Sequence, residues 1–423
     1  MTAREILTGS FQAALAAADP LTIVAKHLPA PPRGRTVVVG AGKAAASMAL
    51  AVENHWPAAL PLEGLVITRY GHGLPLERIR VVEAGHPVPD AQGEAAAREI
   101  LALARSLGED DLLLALVSGG GSSLLSLPAG GVTMADLKAV TRELLACGAP
   151  IQDMNTVRKH LSAIQGGRLA AATTARVLAL IISDVTGDDP THIASGPCVA
   201  DPTTYRDALD VLARYAVKAP DSITLHLESG ARGRIPETPK PGDATLARSE
   251  NRVIATAYAS LMKAAAFVQE HGITPMVLGD SVTGESSEVA KVYAALARQA
   301  RAHGHPVKPP VALISGGETT VTLRGKGRGG RCTEFLLSLA IALDGLGETW
   351  ALACDTDGID GSEDNAGAIL TPDALSRAAK MNISAKALLA NNDGYGFFSA
   401  LGDLVVTGPT RTNVNDYRII LVR

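Results

Sequence analysis

Four stretches of this chain place glycine beside charged or hydroxyl side chains in ways that suit phosphate chemistry. In the first, Gly40, Gly42 and Ala45 fit the G-x-G-x-x-A spacing with which a strand-to-helix turn takes a pyrophosphate. Lys43 lies inside that turn. There it adds a cation where helix-start N–H groups already attract anions, which suits a terminal or transferring phosphate. The loop is not a Walker A sequence: Val37 replaces the first glycine and Ala44 the Ser/Thr. In the second stretch, Ser118, Gly119, Gly120, Gly121, Ser122 and Ser123 follow the apolar run Leu112–Val117. Glycines let a backbone approach a ligand, and hydroxyls can donate to phosphate oxygens.

In the third stretch, Arg324, Lys326, Arg328 and Arg331 alternate with glycines ahead of the helical run Thr333–Leu343. Charge and helix dipole coincide best at Arg331, while the other three read as solubilising charge on a hairpin tip. The fourth is acidic. Asp184, Asp188 and Asp189 follow one apolar run, and Asp355, Asp357 and Asp360 follow another. Carboxylates at strand ends suit Mg²⁺, which takes one or two of them plus water and substrate phosphates. The second acidic run is not a calcium loop, because Ile359 and Ala366 occupy ligand positions. Glu318, Asn413 and Asn415 are further polar groups at strand ends, and Asn155, Arg158, Lys159 and Ser162 share a helical spacing. His86, between Gly85 and Pro87, reads as part of a turn. Each of these residues also has a plain structural reading as a cap, a turn or a solvated charge.

The elements that must hold these residues follow from periodicity. Thr36–Val39, Leu65–Thr68, Leu112–Val117 and Val177–Val185 read as buried strands. Ala44–Glu53, Gly93–Leu107 and Met134–Gly148 read as the helices between them. That rhythm predicts a doubly wound, Rossmann-like parallel sheet covered on both faces. The Pro/Gly-rich residues 230–245 read as an interdomain linker, so the expected domains are 1–240 and 241–423. Beyond the linker, Asn251–His271 and Ser287–His303 read as helices. Pro275–Gly279, Val311–Ser315, Thr319–Leu323, Trp350–Cys354, Leu404–Thr407 and Arg418–Val422 read as strands of a mixed sheet.

Composition removes several function classes. Of 423 residues, 39 are Lys or Arg and 43 are Asp or Glu, and aromatics are 3%. A nucleic-acid partner therefore lacks both the field and the stacking surfaces it needs. No apolar run reaches the roughly 18 residues of a membrane span, and Met1–Ser10 shows no signal-peptide pattern. Four dispersed cysteines without a CxxC argue against a disulfide framework and for a reducing cytoplasm.

Taken together, the strings at residues 40–45, 83–90, 118–124, 155–162, 183–189, 194–197, 315–319, 329–331, 355–361 and 402–416 resemble the D-glycerate 2-kinase family with a MOFRL C-terminal domain. The resemblance implies an N-terminal α/β domain and a C-terminal MOFRL α/β domain (about 308–418). It also implies a cleft between them, the use of ATP and Mg²⁺, and the product 2-phosphoglycerate. By matching motif, the functional positions are Lys43, Glu318, Arg331, Asp357 and Asn413. The chain departs from the family pattern at Cys332-Thr333, at Gly394 and at Arg411.

The resulting expectation is a kinase for D-glycerate, a monomer or homodimer, with phosphates near Gly40, Gly42 and the 118–123 loop. Lys43 and Arg331 are assigned to the γ-phosphoryl, and Asp357 with Asp188 or Asp189 to Mg²⁺. Glu318 or Asp184 is the base, Asn413 orients hydroxyls, and Arg158 meets the glycerate carboxylate. Two rivals are an NAD(P)H-dependent hydroxypyruvate reductase using His86 or His160 as acid, and a sensing module without turnover.

Overall fold

The apolar runs become strands at the centre of two six-stranded sheets. The computed structural model describes Met1 to Arg423. Contacts divide the chain into Pro20–Ile254 and a second unit of Met1–Asp19 with Ala255–Arg423.

In the first unit the strands are β1 (Thr36–Ala41), β2 (Leu62–Arg69), β3 (Ile79–Ala84), β4 (Leu112–Val117), β5 (Arg176–Ile182) and β6 (Ser249–Ala255), in the order β3-β2-β1-β4-β5-β6. β1 runs parallel to β2 and β4, β2 to β3, and β4 to β5. Every residue of β1 and β4 is buried, as a sheet covered on both faces requires. Helix Ala91–Arg105 shows how one face is covered. Asp90 caps it by accepting the Gly93 N–H at 3.0 Å. Ala96, Ala97, Ile100, Leu101 and Ala104 then form one buried stripe in the sheet's core. At about 1.5–3 kcal/mol per buried aliphatic side chain, Ile100 and Leu101 dominate that attachment.

In the second unit β7 (Thr274–Gly279), β8 (Val311–Ser315), β9 (Thr349–Asp355), β10 (Gly367–Leu370), β11 (Leu404–Val405) and β12 (Asp416–Val422) are ordered β11-β10-β9-β12-β8-β7. β7 and β8 are parallel. The other pairs are antiparallel, so the sheet is mixed, as expected. Helix Ala3–Ala17 belongs to this unit: Ile6, Leu7 and Phe11 share a core with Leu261, Val268 and Ile419.

Local expectations fail where tertiary pairing overrides composition. Residues 230–245 do not link the two units. Pro239 accepts the Asp201 N–H at 2.8 Å, Thr238 is buried, and the chain continues into β6 beside β5. The expected helix Asn251–His271 is β6 followed by helix Ala257–Glu270, started by the Thr256 cap on Ala259 N–H at 3.1 Å. The strand expected at Thr319–Leu323 is a single bridge between Glu285 and Thr320.

Candidate active site

In the first unit, β1 continues to β2 on one side while β4 lies on its other side. The carboxyl ends of β1 and β4 are therefore a topological switch point, where doubly wound sheets bind ligands. The two glycine loops meet there. A Cβ on Gly40 would lie 2.1 Å from the Leu116 carbonyl oxygen, and one on Gly42 (φ +141°) 2.1 Å from Ser118 Oγ. Those glycines are needed so that the two strands and loops can approach each other.

The amides of this first loop are committed inside the protein. Gly42 N–H donates to Ile67 O at 3.1 Å, Lys43 N–H to Gly119 O at 2.8 Å, and Ala44 N–H to Ser118 Oγ at 3.1 Å. The expectation that Gly40 and Gly42 cradle phosphate is corrected accordingly: they pack, and Ser118 pins the loops together. In the second loop, no protein acceptor takes the amides of Gly119 or Gly120. A Cβ on Gly120 would meet His86 Nε2 at 2.8 Å and Lys43 Cγ at 3.5 Å. The open amides, the lysine stem and the imidazole thus converge on one corner. Sequence reading left His86 in a turn, and only the fold brings it here.

Behind this corner runs a hydroxyl chain. Ser122 Oγ lies 2.9 Å from Ser195 Oγ, Ser195 donates to Asn155 Oδ1 at 3.1 Å, and Arg158 donates to the same oxygen at 3.4 Å. Ser123 Oγ donates to Gly120 O at 3.1 Å. Ala194 and Ser195 both have positive φ, 51° and 57°. Non-glycine residues seldom adopt that conformation, and it costs about 1–3 kcal/mol each. It is held by Gly166 and Gly167 amides donating to Ser195 O and Gly196 O at 3.0 and 2.7 Å. Alanine and serine carry no signal for this geometry, so Ser195 was missed.

Asp184 is partly buried just beyond β5. Asp189 accepts the Thr191 N–H at 2.9 Å, a turn-forming role, and Asp188 sits beside it with φ 55°.

In the second unit Arg331 is the hub. Its Nε lies 2.7 Å from Asp416 Oδ1, NH1 2.6 Å from Glu318 Oε1, and NH2 2.8 Å from Asp355 Oδ2. Burial opposes its charge, but Asp416, Asp355 and Glu318 outweigh burial and raise its pKa further. Arg331 was expected as the helix-start cation that meets the γ-phosphoryl. It is one positive charge among three negative ones, so an incoming phosphate needs additional positive charge here. Arg418, wholly buried, pairs with Asp416 and donates to Gly316 O and Thr319 Oγ1 at 3.0 Å. That fixes the loop carrying Glu318.

The start of helix Arg331–Leu343 is also occupied. Asp360 accepts N–H groups of Cys332 and Thr333, each at 2.9 Å, and the Thr333 hydroxyl at 2.8 Å. Burial raises the Asp360 pKa against those donors. The helix-dipole site read from sequence is therefore filled by the protein's own carboxylate. The preceding loop is pinned rather than loose. Asn392 Oδ1 accepts from Arg324 and Gly325 N–H at 2.7 and 3.0 Å, and Arg328 lies 4.7 Å from the Tyr395 ring centroid.

Asp357 is buried beside this hub; its amide donates to Asp355 Oδ1 at 3.0 Å and its Oδ1 accepts Ile359 N–H at 2.8 Å. Asn413 is buried too, accepting Asn415 N–H at 3.3 Å. No group of three or more His, Cys, Asp or Glu side chains is arranged to hold a metal ion. The oxygen donors present nevertheless fit Mg²⁺, which needs only one or two protein carboxylates when substrate phosphates supply the rest.

A doubly wound sheet with open glycine amides and a lysine at its switch point defines an α/β protein. Comparison narrows this. Residues 6–228 match the family model described as a domain of unknown function, DUF4147, and residues 311–416 match the MOFRL family. A protein of Agrobacterium vitis with the provisional name hydroxypyruvate reductase is 53% identical, covering 100% of this chain and 95% of that one. The D-glycerate 2-kinase of Thermotoga maritima is 38% identical over 92% of this chain and 91% of its own. The crystal structure of glycerate kinase from Thermotoga maritima superposes with a TM-score of 0.87 at 37% identity, covering 98% of each chain. The chain belongs to this family of MOFRL-containing glycerate kinases.

Proposed function

We propose that the protein transfers the γ-phosphoryl group of ATP to the 2-hydroxyl of D-glycerate, giving 2-phosphoglycerate and ADP. The observation that carries this reading is the corner where the open Gly119 and Gly120 amides stand beside Lys43. In the reaction the hydroxyl oxygen bonds to the γ-phosphorus, the bond to the β-phosphate oxygen breaks, and the hydroxyl proton leaves to a base. The amides and Lys43 hold phosphate oxygens and stabilise the charge that spreads over them. Arg331 acts on the same phosphoryl group from the second unit, with its guanidinium aimed by Asp416, Asp355 and Glu318. Glu318 or Asp184 takes the proton, and Asn413 orients the acceptor's hydroxyls. Mg²⁺, when bound, neutralises phosphate charge; Asp357 with Asp188 or Asp189 would hold it. The four free thiols suit a reducing cytoplasm, and no helix is long and apolar enough to cross a membrane.

The reductase name borne by the Agrobacterium vitis protein is less well supported. A dinucleotide fold presents free helix-start amides to the pyrophosphate, whereas residues 42–44 here spend theirs internally. The test is ATP with D-glycerate followed by ³¹P NMR of the product, beside NAD(P)H with hydroxypyruvate and no ATP. A 2-phosphoglycerate resonance with flat NAD(P)H absorbance is expected; NAD(P)H consumption without phosphorylation would overturn the proposal.

A further inference from the structure

A cavity of about 310 Å³ opens in the first unit between helix Met134–Ala146 and the Pro87–Pro89 turn. Its size is at the lower end of the roughly 300–1,000 Å³ range for small-molecule sites. Leu137 and Leu145 line one wall and Val88 the other, while Ser122, Ser123 and Arg158 form part of its lining nearest the glycine loop. Lys138 and Arg142 also line it, and no carboxylate does. Arg158 forms no ion pair; its guanidinium donates to Asn155 Oδ1 at 3.4 Å, and burial lowers its pKa.

These features discriminate between ligands. Glycerate is small and polar on every atom, so it would leave apolar walls of this extent uncovered. A nucleoside carries a flat apolar ring at one end and an anionic chain at the other. Aliphatic walls on both sides suit the ring, and a carboxylate-free lining with three cations suits the anion. Ser122 and Ser123, which line the cavity, directly follow Gly119–Gly121 in sequence, so the cavity borders the loop that carries the open amides.

We infer that this cavity holds the nucleoside of the phosphoryl donor, its base between Val88 and Leu137/Leu145, with Arg158 meeting the donor's phosphates. The inference rests on the phosphotransfer reading above and reassigns Arg158 from the glycerate carboxylate to the nucleotide.

The test uses the full chain and two variants. Thr141→Trp, on the cavity-facing side of the helix, fills the slot; Arg158→Met removes the cation. Calorimetry measures ADP and adenosine binding, and steady-state kinetics gives KM for ATP and D-glycerate. In Thr141→Trp, the Kd for both ADP and adenosine and the KM for ATP should rise about tenfold or more, while KM for D-glycerate stays within about twofold. Arg158→Met should weaken ADP but not adenosine. Unchanged ADP binding in a folded Thr141→Trp protein, or an Arg158→Met effect confined to KM for D-glycerate, would overturn the inference. A wild-type protein that phosphorylates glycerate while either result holds loses only the cavity assignment. One that neither binds ADP nor turns over loses the kinase reading itself.

Discussion

At the scale of single residues, Lys43 and Arg331 are cations of different kinds. The Lys43 stem flanks the open amide of Gly120 at the glycine corner. Lys43→Ala should lower kcat by about 10²–10³ in a coupled assay, with circular dichroism confirming that the variant is folded. Arg331 joins three carboxylates, so its removal strands buried negative charge. Arg331→Ala should cost about 3–5 kcal/mol of stability as well as activity, measurable in urea titration. Arg331→Lys keeps the charge but loses the three-way fork; it should recover most of the stability and little of the turnover. A stable Arg331→Ala protein would show that the carboxylate hub does not depend on it.

At the scale of elements, two contacts between segments can be tested. Gly42 lets one loop lie on another, and a Cβ there would collide with Ser118 in a backbone conformation that disfavours side chains. Gly42→Ala should destabilise the first unit by about 1–3 kcal/mol and weaken ADP binding, because the Gly119–Gly120 amides shift with Ser118. The other contact joins helix Arg331–Leu343 to the Asn392 turn through Glu334, whose Oε1 accepts from Asn392 Nδ2 at 3.3 Å. Burial raises the Glu334 pKa to about 7. The folded state favours the protonated acid more than the unfolded chain does. Its contribution is therefore full below the ordinary carboxyl pKa and is lost as pH rises through about 7. Glu334→Gln, which stays neutral, should gain Tm relative to wild type on going from pH 5 to pH 8; parallel Tm profiles would show that Glu334 is ionised throughout.

At the scale of the whole molecule, each unit folds around its own six-stranded sheet. Much of the architecture was legible in the chain. β1 and β4 are buried on both faces, so their apolar runs carry no ambiguity, and glycine marks the loops that follow them. β6 and the first helix were not legible as parts of their units. Ser249–Ala255 is half-polar, and its strand character comes from the neighbouring β5. Helix Ala3–Ala17 joins the distant second unit because its apolar stripe meets the 257–270 helix and β12, a partnership no local pattern encodes.

The candidate site divides along the same line. Residue type and spacing alone determined that this chain carries glycine loops, cations and acidic clusters for phosphate chemistry, because these signals lie within a few residues of one another. Tertiary structure decided which of those groups face a ligand. It closed the Gly42–Ala44 amides, filled the Arg331 helix start with Asp360, set three carboxylates on Arg331 and brought His86, Ser195 and Arg158 to the glycine corner. A hydrogen-bonding group can be satisfied by any partner the fold brings within about 3 Å, and residues far apart in sequence supply most of those partners here.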